Sequence, residues 1–366
     1  MMTPRERLLA PFHDVKPDRP AWQADLSYWY SAAKAADKLQ PQYRGRDGYK
    51  RLHEDLGICF YHNISPCVFE ESFVNIEHSV KEAGNERRGY WRSPAGELTD
   101  HWQYLGKSFC WAHDEYAVKT TDDLKTLADL YLHIRYKPAY EEFNREAEWS
   151  GDSGLPVVPA PRSPLPALLA DWCGVEQTIY FLADNPDLVA EVLERIDRSN
   201  DEAFDLLCAA PCELIHFGDN LDSSSSTSFF EEHMKAYYEK RLKQLHKAGK
   251  FAVVHLDGRV RGLLPKLAAC GFDGIESITP APVGDVAIED LRAVAANSKT
   301  ILWGGIPGAM FCYPWRAEDI RAHTDRLLNA LACDGRLIVG SADQVPPDGC
   351  LDFCRLIAET IAAWKP

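Results

Sequence analysis

Long apolar segments and basic clusters are both absent from this 366-residue chain. No stretch approaches the roughly 20 consecutive apolar residues that a membrane-spanning helix needs. The chain has 40 Lys and Arg against 55 Asp and Glu, for a net charge of -15. Because phosphate binding requires concentrated positive charge, this balance argues against nucleic acid as a partner. These absences favour an enzyme that acts on a small molecule, with no membrane partner.

Paired cysteine motifs are missing as well. The eleven cysteines are scattered and form no CxxC pair, so in a reducing compartment we expect free thiols, many of them packed in the core. The opening residues 1–7 carry charges and a helical pattern where a secretory signal would have an apolar region. We therefore expect a cytoplasmic protein.

Short apolar runs that end on polar residues recur along the chain and form its strongest pattern. The clearest run is residues 251–258, which stops on His255 and Asp257 before Gly258. Similar runs occur at residues 19–25, 57–63, 155–162, 213–220, 273–280, 300–305 and 336–343. Helical patterns such as residues 228–248 lie between them. About eight strands alternating with helices predict an α/β fold of the (β/α)8 TIM barrel type, with the active face at the loops that follow the strands.

No linker-like tract divides the chain, so we expect a single domain spanning residues 1–366. Residues from about 65 to 115 alternate polar and aromatic side chains and carry a turn signal at residues 93–96. We interpret them as a hairpin-bearing insertion that covers the barrel mouth. The only low-complexity patch, Ser223–Ser226, is predicted to be a flexible loop ending in a helix cap.

Four candidate metal-binding or catalytic residues follow three of the predicted strands. His255 and Asp257 are two residues apart, so they project from the same side of an extended chain and could share a metal, a proton or a substrate. Glu276 and Asp343 occupy similar positions at other strand ends. The alternative is a core histidine paired with a strand-end acid.

Further candidates carry weaker signals. Asp219 and Asn220 follow a strand and could act on or orient a substrate, although such a pair also serves turns and helix caps. Arg162 lies among prolines and could bind a substrate carboxylate or form a structural ion pair. Near the first strand end, an acid and a group of aromatic residues could wall a small or aromatic substrate; they are Trp22, Asp25, Tyr28, Trp29 and Tyr30.

Several motifs spread over nearly the whole chain resemble the uroporphyrinogen decarboxylase-like superfamily. They are Thr3–Leu9, Asp18–Pro20, Gly249–Lys250, His255–Gly258, Gly304–Pro307 and Ser341–Pro347. The resemblance implies the (β/α)8 barrel and two kinds of activity, porphyrinogen decarboxylation and corrinoid-dependent methyl transfer. The decarboxylases carry an arginine-rich segment after the first strand and an aspartate after the second. Here those places read Asp25–Tyr30 and Phe60–Asn63, which argues against a polycarboxylated porphyrinogen as substrate.

The chain looks nearer to the methyltransferase branch, which binds zinc through a His-x-Cys-Gly motif, an acid and a second cysteine. The corresponding residues here are His255, Asp257, Glu276 and Asp343, with carboxylates in place of both thiolates. Such a set implies a divalent metal, zinc in the first place and manganese or iron as alternatives. If the metal has been lost, His255 would be an acid–base residue oriented by Asp257.

The resulting hypothesis is a metal-dependent, methyltransferase-like enzyme that acts on a small substrate. Because the chain has no Asp-x-His-x-x-Gly corrinoid motif, a corrinoid would arrive on a separate partner protein, and tetrahydrofolate is the other possible methyl carrier. The first alternative is a lyase or decarboxylase of a small non-porphyrin acid that uses the same residues. The second is a non-catalytic protein that binds a ligand at the barrel mouth.

Overall fold

The computed structural model describes residues 1–63 and 68–365, with only the backbone described at residues 61–63. Strands occur along the whole described chain. They are β1 (Ala21–Asp25), β2 (Phe60–Asn63), β3 (Phe69–Phe73), β4 (Glu77–Ala83), β5 (Glu86–Ser93), β6 (Gly96–Leu105), β7 (Cys110–Glu115), β8 (Ile134–Pro138), β9 (Gly154–Pro159), β10 (Leu214–Leu221), β11 (Phe251–Leu256), β12 (Gly274–Ile278), β13 (Ile301–Pro307) and β14 (Leu337–Gln344).

Helices alternate with these strands. They are α1 (Pro4–Leu9), α2 (Ser27–Ala35), α3 (Gly45–Asp55), α4 (Thr121–Leu130), α5 (Tyr140–Ser150), α6 (Pro164–Ala167), α7 (Val175–Asp184), α8 (Pro186–Ala209), α9 (Ser223–Ser226), α10 (Lys235–Lys247), α11 (Leu264–Cys270), α12 (Leu291–Ala295), α13 (Ala317–Leu331) and α14 (Leu351–Ala363). None of the helices in the described part of the chain is long and apolar enough to cross a membrane.

Eight strands form one parallel sheet whose spatial order follows the chain: β2, β9, β10, β11, β12, β13, β14 and then β1. The first strand therefore pairs with the last. Next to the other edge, a parallel bridge joins Gln23 of β1 to Cys59, and the Cys59 amide donates to the carbonyl of Trp22 at 2.7 Å. The predicted α/β class is confirmed, and each predicted apolar run contains or overlaps a strand of this sheet.

Apolar side chains explain why these strands lie in the interior. Every residue of β12 and β13 is buried, as a parallel strand covered on both faces requires. The register is equally informative, because His255 of β11 pairs with Glu276 of β12. Two polar residues that are 21 positions apart in sequence thus become neighbours at one end of the sheet.

A separate antiparallel sheet of β4, β5, β6 and β7 forms the segment after β2. Its central hairpin turns where the sequence predicts, with Ser93 paired to Gly96. Residues 64–67, at the start of the predicted insertion, lie outside the described residues. The helices and strand α4, β8 and α5 follow this sheet before the parallel sheet resumes at β9, and β8 pairs with β3.

Two local predictions around β10 need correction. Ser223–Ser226 is a helical turn instead of a flexible loop, because the Asp222 carboxylate accepts the Ser224 amide at 2.6 Å and caps it. The predicted helix at residues 228–248 is also interrupted, since Phe230–Met234 forms a π-helical turn before α10 begins.

Candidate functional site

A polar cavity of about 330 Å³ lies at the carboxyl ends of the parallel strands. Its residues come from β1, α2, β10, β11, β12, β14 and the loop after β11. They are Gln23, Asp25, Tyr28, Asn220, His255, Asp257, Glu276, Asp343 and Gln344. The strand-end pattern in the sequence therefore predicted most of this lining. We call it the strand-end cavity.

Glu276 joins two histidines in this region. Its Oε2 atom lies 2.6 Å from Nδ1 of His255 and 3.3 Å from Nε2 of His216. The Glu276 side chain is 9% exposed, so water contributes little to its solvation. A buried carboxylate needs such partners because charge is costly to remove from water.

The pKa values of the pair reflect this contact. Burial acts to lower the pKa of His255, but the charge and hydrogen bond of Glu276 outweigh burial and raise it to about 9. Burial acts to raise the pKa of Glu276, but the charge of His255 and the hydrogen bonds from both histidines lower it to about 2. Without a bound cation, the two side chains therefore form an imidazolium–carboxylate pair at neutral pH.

Three further carboxyl groups face the strand-end cavity. Burial raises the pKa of Asp25 to about 6, although its Oδ1 accepts the Ser27 amide at 2.8 Å. Burial also raises the pKa of Asp257 and of Asp343. Among the described residues, no Lys or Arg lines this cavity. The site thus concentrates negative charge, and it favours a bound cation or bound protons.

Strained backbone surrounds the same cavity. Asn220, Ser277 and Asp343 all have positive φ angles, of 51°, 68° and 65°. Ser277 also accepts the Asp343 amide through Oγ at 2.5 Å, which holds the two strand ends together. Non-glycine residues in this region of φ/ψ space cost free energy, and they cluster where a side chain must take a fixed direction.

We expect Asn220→Gly to raise the free energy of unfolding by about 0.5–1 kcal/mol, because glycine adopts a positive φ without steric cost. Urea denaturation with a chelator present measures this change. Asn144→Gly is the control: Asn144 is exposed within α5, so the same substitution there is expected to destabilise the protein. Equal destabilisation by both variants would contradict strain at Asn220.

Five predicted site residues do not line the strand-end cavity: Trp22, Trp29, Tyr30, Arg162 and Asp219. Asp219 is 3% exposed and accepts hydrogen bonds from the Ser163 amide and hydroxyl and from the Tyr238 hydroxyl, at 2.9, 2.6 and 2.8 Å. It does not line the strand-end cavity, because its oxygens are directed to α6 and α10. Trp29 likewise packs against the hydrophobic core.

Arg162 is also outside the strand-end cavity. Its Nε lies 2.8 Å from Asp171, and Nη1 donates to the carbonyl of Gly218 at 2.8 Å. The structural ion pair that the sequence left open is therefore formed. Arg162 contributes instead to a second cavity, beneath the antiparallel strands.

The sequence interpretation missed three residues of this region. His216 is the most important, and its signal was a polar residue inside the apolar run of β10. Gln23 and Gln344 were also overlooked, since a glutamine beside a strand end carries little specific information. The Oε1 atom of Gln344 is buried and has no hydrogen-bond partner among the described residues, so it can accept a hydrogen bond from a ligand.

The chemistry of the cluster fits a divalent metal. One ligand atom from each of His216, His255 and Glu276 lies within 4.8 Å of the others. Two imidazoles and one carboxylate bind zinc in several enzymes, and a similar set binds iron. Of the four ligands predicted from sequence, His255 and Glu276 belong to this three-residue cluster. Asp257 is more distant, with Oδ2 4.0 Å from His255 Nε2, and it lines the cavity together with Asp343.

Comparison with known proteins finds a matching family model and solved structures that are similar to this chain. The family model described as uroporphyrinogen decarboxylase (URO-D) matches residues 162–364. A methyltransferase from Methanosarcina mazei has a TM-score of 0.64 and 13% sequence identity, over 99% of this chain and 99% of that chain. The GH18 chitinase ChiB from the chitin utilization locus of Flavobacterium johnsoniae has a TM-score of only 0.34 and 8% identity, over 62% of this chain and 81% of that chain. No curated protein matches.

Proposed function

We propose, from the premise that this chain belongs to the uroporphyrinogen decarboxylase family, that it is a metal-dependent, methyltransferase-like enzyme acting on a small substrate. The proposal includes a closed (β/α)8 barrel, which the bridge between Gln23 and Cys59 supports. It also includes a cover over the barrel mouth formed by the β4–β7 sheet. Cys110 of β7 supports that cover, because it lies within hydrogen-bonding reach of Tyr28 in the strand-end cavity.

The observation that carries the proposal is a pair of histidines sharing one buried glutamate beside a cavity rich in carboxylates. Four acidic residues line this cavity, and no basic residue in the described part of the lining offsets them apart from His255. Bound cations or protons would compensate this concentration of negative charge, in which the Glu276 carboxylate is buried. A divalent metal satisfies this need with the ligand types present, zinc in the first place and iron or manganese as alternatives.

Each residue then has a role that its position allows. His216, His255 and Glu276 would hold the metal, which when bound supplies Lewis acidity to activate a nucleophilic group of the substrate. Asp257 and Asp343 face the cavity beside His255 and can accept a proton from that group. The side-chain amide oxygen of Gln344, Oε1, can accept a hydrogen bond that orients the substrate.

The size of the cavity limits what enters it. About 330 Å³ accommodates a small substrate, at the lower end of the range of ligand pockets. A corrinoid is much larger, so it would approach the mouth while carried on a separate partner protein and present only its methyl group. Tetrahydrofolate is the alternative carrier, and its methyl-bearing end would enter in the same way.

A second candidate function is a lyase that decarboxylates a small non-porphyrin acid. Asp25 favours it, because a carboxyl group with a pKa of about 6 inside the cavity can donate a proton near neutral pH. The lack of Arg or Lys among the described lining residues still argues against a polycarboxylated porphyrinogen. Carbon dioxide release without methyl transfer would favour this candidate.

We expect the purified wild-type protein to contain close to one equivalent of a divalent metal, and His216→Ala and His255→Ala to lose most of it. The physical reason is that each substitution removes one of the two nitrogen ligands. Elemental analysis after purification without added metal measures the content. Asp257→Ala is expected to retain metal better than either histidine variant, because Asp257 lies outside the three-residue cluster.

The matched control is His246→Ala. His246 also contacts a carboxylate, that of Asp273 at 2.9 Å, but it lies outside the strand-end cavity. Its variant should keep the wild-type metal content. A wild-type protein that remains metal-free when challenged with zinc, iron and manganese would refute the metal site.

A further inference from the structure

A second cavity of about 330 Å³ lies between β9, α8 and the antiparallel strands, and it shares no lining residue with the strand-end cavity. Six of its lining side chains carry aromatic rings. They are Phe73, His78, Trp91, Tyr131, Tyr136 and Trp172. The charged groups of the lining are the carboxylates of Glu71 and Asp171 and the guanidinium of Arg162, and Asn200 adds a neutral amide. We call this cavity the aromatic cleft.

The rings of the aromatic cleft form a continuous series of contacts. His78 stacks on Trp91 with ring centroids 5.3 Å apart, and Trp91 meets Trp172 edge to face at 5.3 Å. Trp172 in turn contacts Tyr131, whose hydroxyl accepts its indole N–H at 2.9 Å. This hydrogen bond occupies the polar atom of the indole, so the tryptophan offers its apolar surface to a ligand.

The charges of the aromatic cleft leave one carboxylate in excess. Arg162 is paired with Asp171, with Nε and Oδ2 2.8 Å apart, so those two charges balance. Partial burial lowers the pKa of His78, which favours the neutral form of this ring. Glu71 on β3 therefore has no cation of the lining to offset it. Partial burial raises the pKa of Glu71, whereas the hydrogen bond from Tyr136, the residue opposite it on β8, acts to lower it.

We propose that the aromatic cleft binds an organic cation with a methylated ammonium group. The faces of aromatic rings attract cations that are too alkylated to hydrogen-bond strongly with water, and several rings around one ammonium group are the usual way to bind it. Glu71 supplies the countercharge. This site is separate from the metal cluster, and the inference does not depend on the proposed methyl transfer.

The test uses choline as the probe and 3,3-dimethyl-1-butanol as its neutral isostere, with binding to the full chain measured by isothermal titration calorimetry. We expect choline to bind about tenfold more tightly than the neutral alcohol, since only the cation interacts electrostatically with the rings and with Glu71. Glu71→Gln should weaken choline binding by a similar factor. Because glutamine has nearly the same size and shape as glutamate and can still accept a hydrogen bond from Tyr136, this variant is expected to fold normally.

Glu70→Gln provides the matched control. Glu70 is the preceding residue of β3, is exposed, pairs with Lys137 and does not line the aromatic cleft. It should leave choline affinity unchanged, and Trp91→Leu, with folding verified by circular dichroism, should reduce it. Equal affinity for choline and the neutral alcohol, no choline binding, or equal losses in the two glutamine variants would each overturn the proposal. The metal content of Glu71→Gln should equal that of the wild type. A loss of choline binding in this variant can then be distinguished from any damage to the proposed metal site.

Discussion

Replacing Glu276 with glutamine is expected to lower the free energy of unfolding by roughly 3–5 kcal/mol at pH 6 in chelator-treated protein. The variant leaves the buried His255 without its countercharge, and it weakens the hydrogen bonds that both histidines make to the same oxygen. Urea denaturation followed by fluorescence measures the change. This is the largest stability effect that we expect from a single conservative substitution in the strand-end cavity.

The difference in free energy of unfolding between wild type and Glu276→Gln depends on pH. The folded pKa of His255, about 9, exceeds its ordinary value of 6.5, so the stabilisation is complete below pH 6.5 and is lost as the pH rises through 9. The folded pKa of Glu276, about 2, is below its ordinary value of 4.5, so its contribution is lost as the pH falls through 2. The difference between wild type and Glu276→Gln should therefore be largest between pH 4.5 and 6.5.

Glu213→Gln is the control for this prediction. Glu213 also contacts a histidine, with Oε2 2.9 Å from His13 Nε2, but both side chains are more than 40% exposed. Exposed ion pairs contribute at most about 1 kcal/mol, so this variant should lie close to wild type. If Glu276→Gln were equally mild, the buried pair would not be the stabilising contact described above.

Replacing Asp25 with asparagine is expected to stabilise the chelator-treated protein by up to about 3 kcal/mol at pH 8. The pKa of this carboxyl is about 6 in the folded protein against an ordinary value of 3.8, and each pKa unit corresponds to about 1.4 kcal/mol. The unfolded chain releases the proton first, so wild-type stability falls as the pH rises from about 4 to 6. Asparagine carries no charge and can still accept the Ser27 amide.

The comparison for Asp25→Asn is Asp18→Asn, for which the opposite sign is expected. The hydrogen bond from Arg7 lowers the pKa of Asp18, so its carboxylate stabilises the folded state above the ordinary pKa and the variant should lose stability at pH 8. Thermal unfolding of the wild type and both variants at pH 4 and pH 8 measures these changes in stability. An Asp25→Asn variant that is no more stable than wild type at pH 8 would show that Asp25 is not a buried, destabilised carboxylate.

Local sequence patterns determined a large part of this protein. The apolar runs predicted the strands of the parallel sheet, because a strand buried on both faces needs uninterrupted apolar residues wherever it lies. The turn at Ser93–Gly96 was equally predictable, since turn preferences are encoded within a few residues. Polar residues at strand ends then predicted the position of the strand-end cavity, whose lining includes His255 and Glu276.

Only the tertiary structure decided which polar side chains meet. Asp219 and Asn220 are adjacent in sequence, yet Asp219 is buried against Ser163 and Tyr238, whereas Asn220 lines the cavity. Side chains alternate between the two faces of a strand, and the positive φ of Asn220 turns the chain at that point. His216 belongs to the three-residue cluster for a related reason, since its neighbours Glu276 and His255 come from other strands. Which face a residue occupies, and which side chains it contacts there, depends on the pairing and register of strands that are distant in the chain, and no local pattern records these.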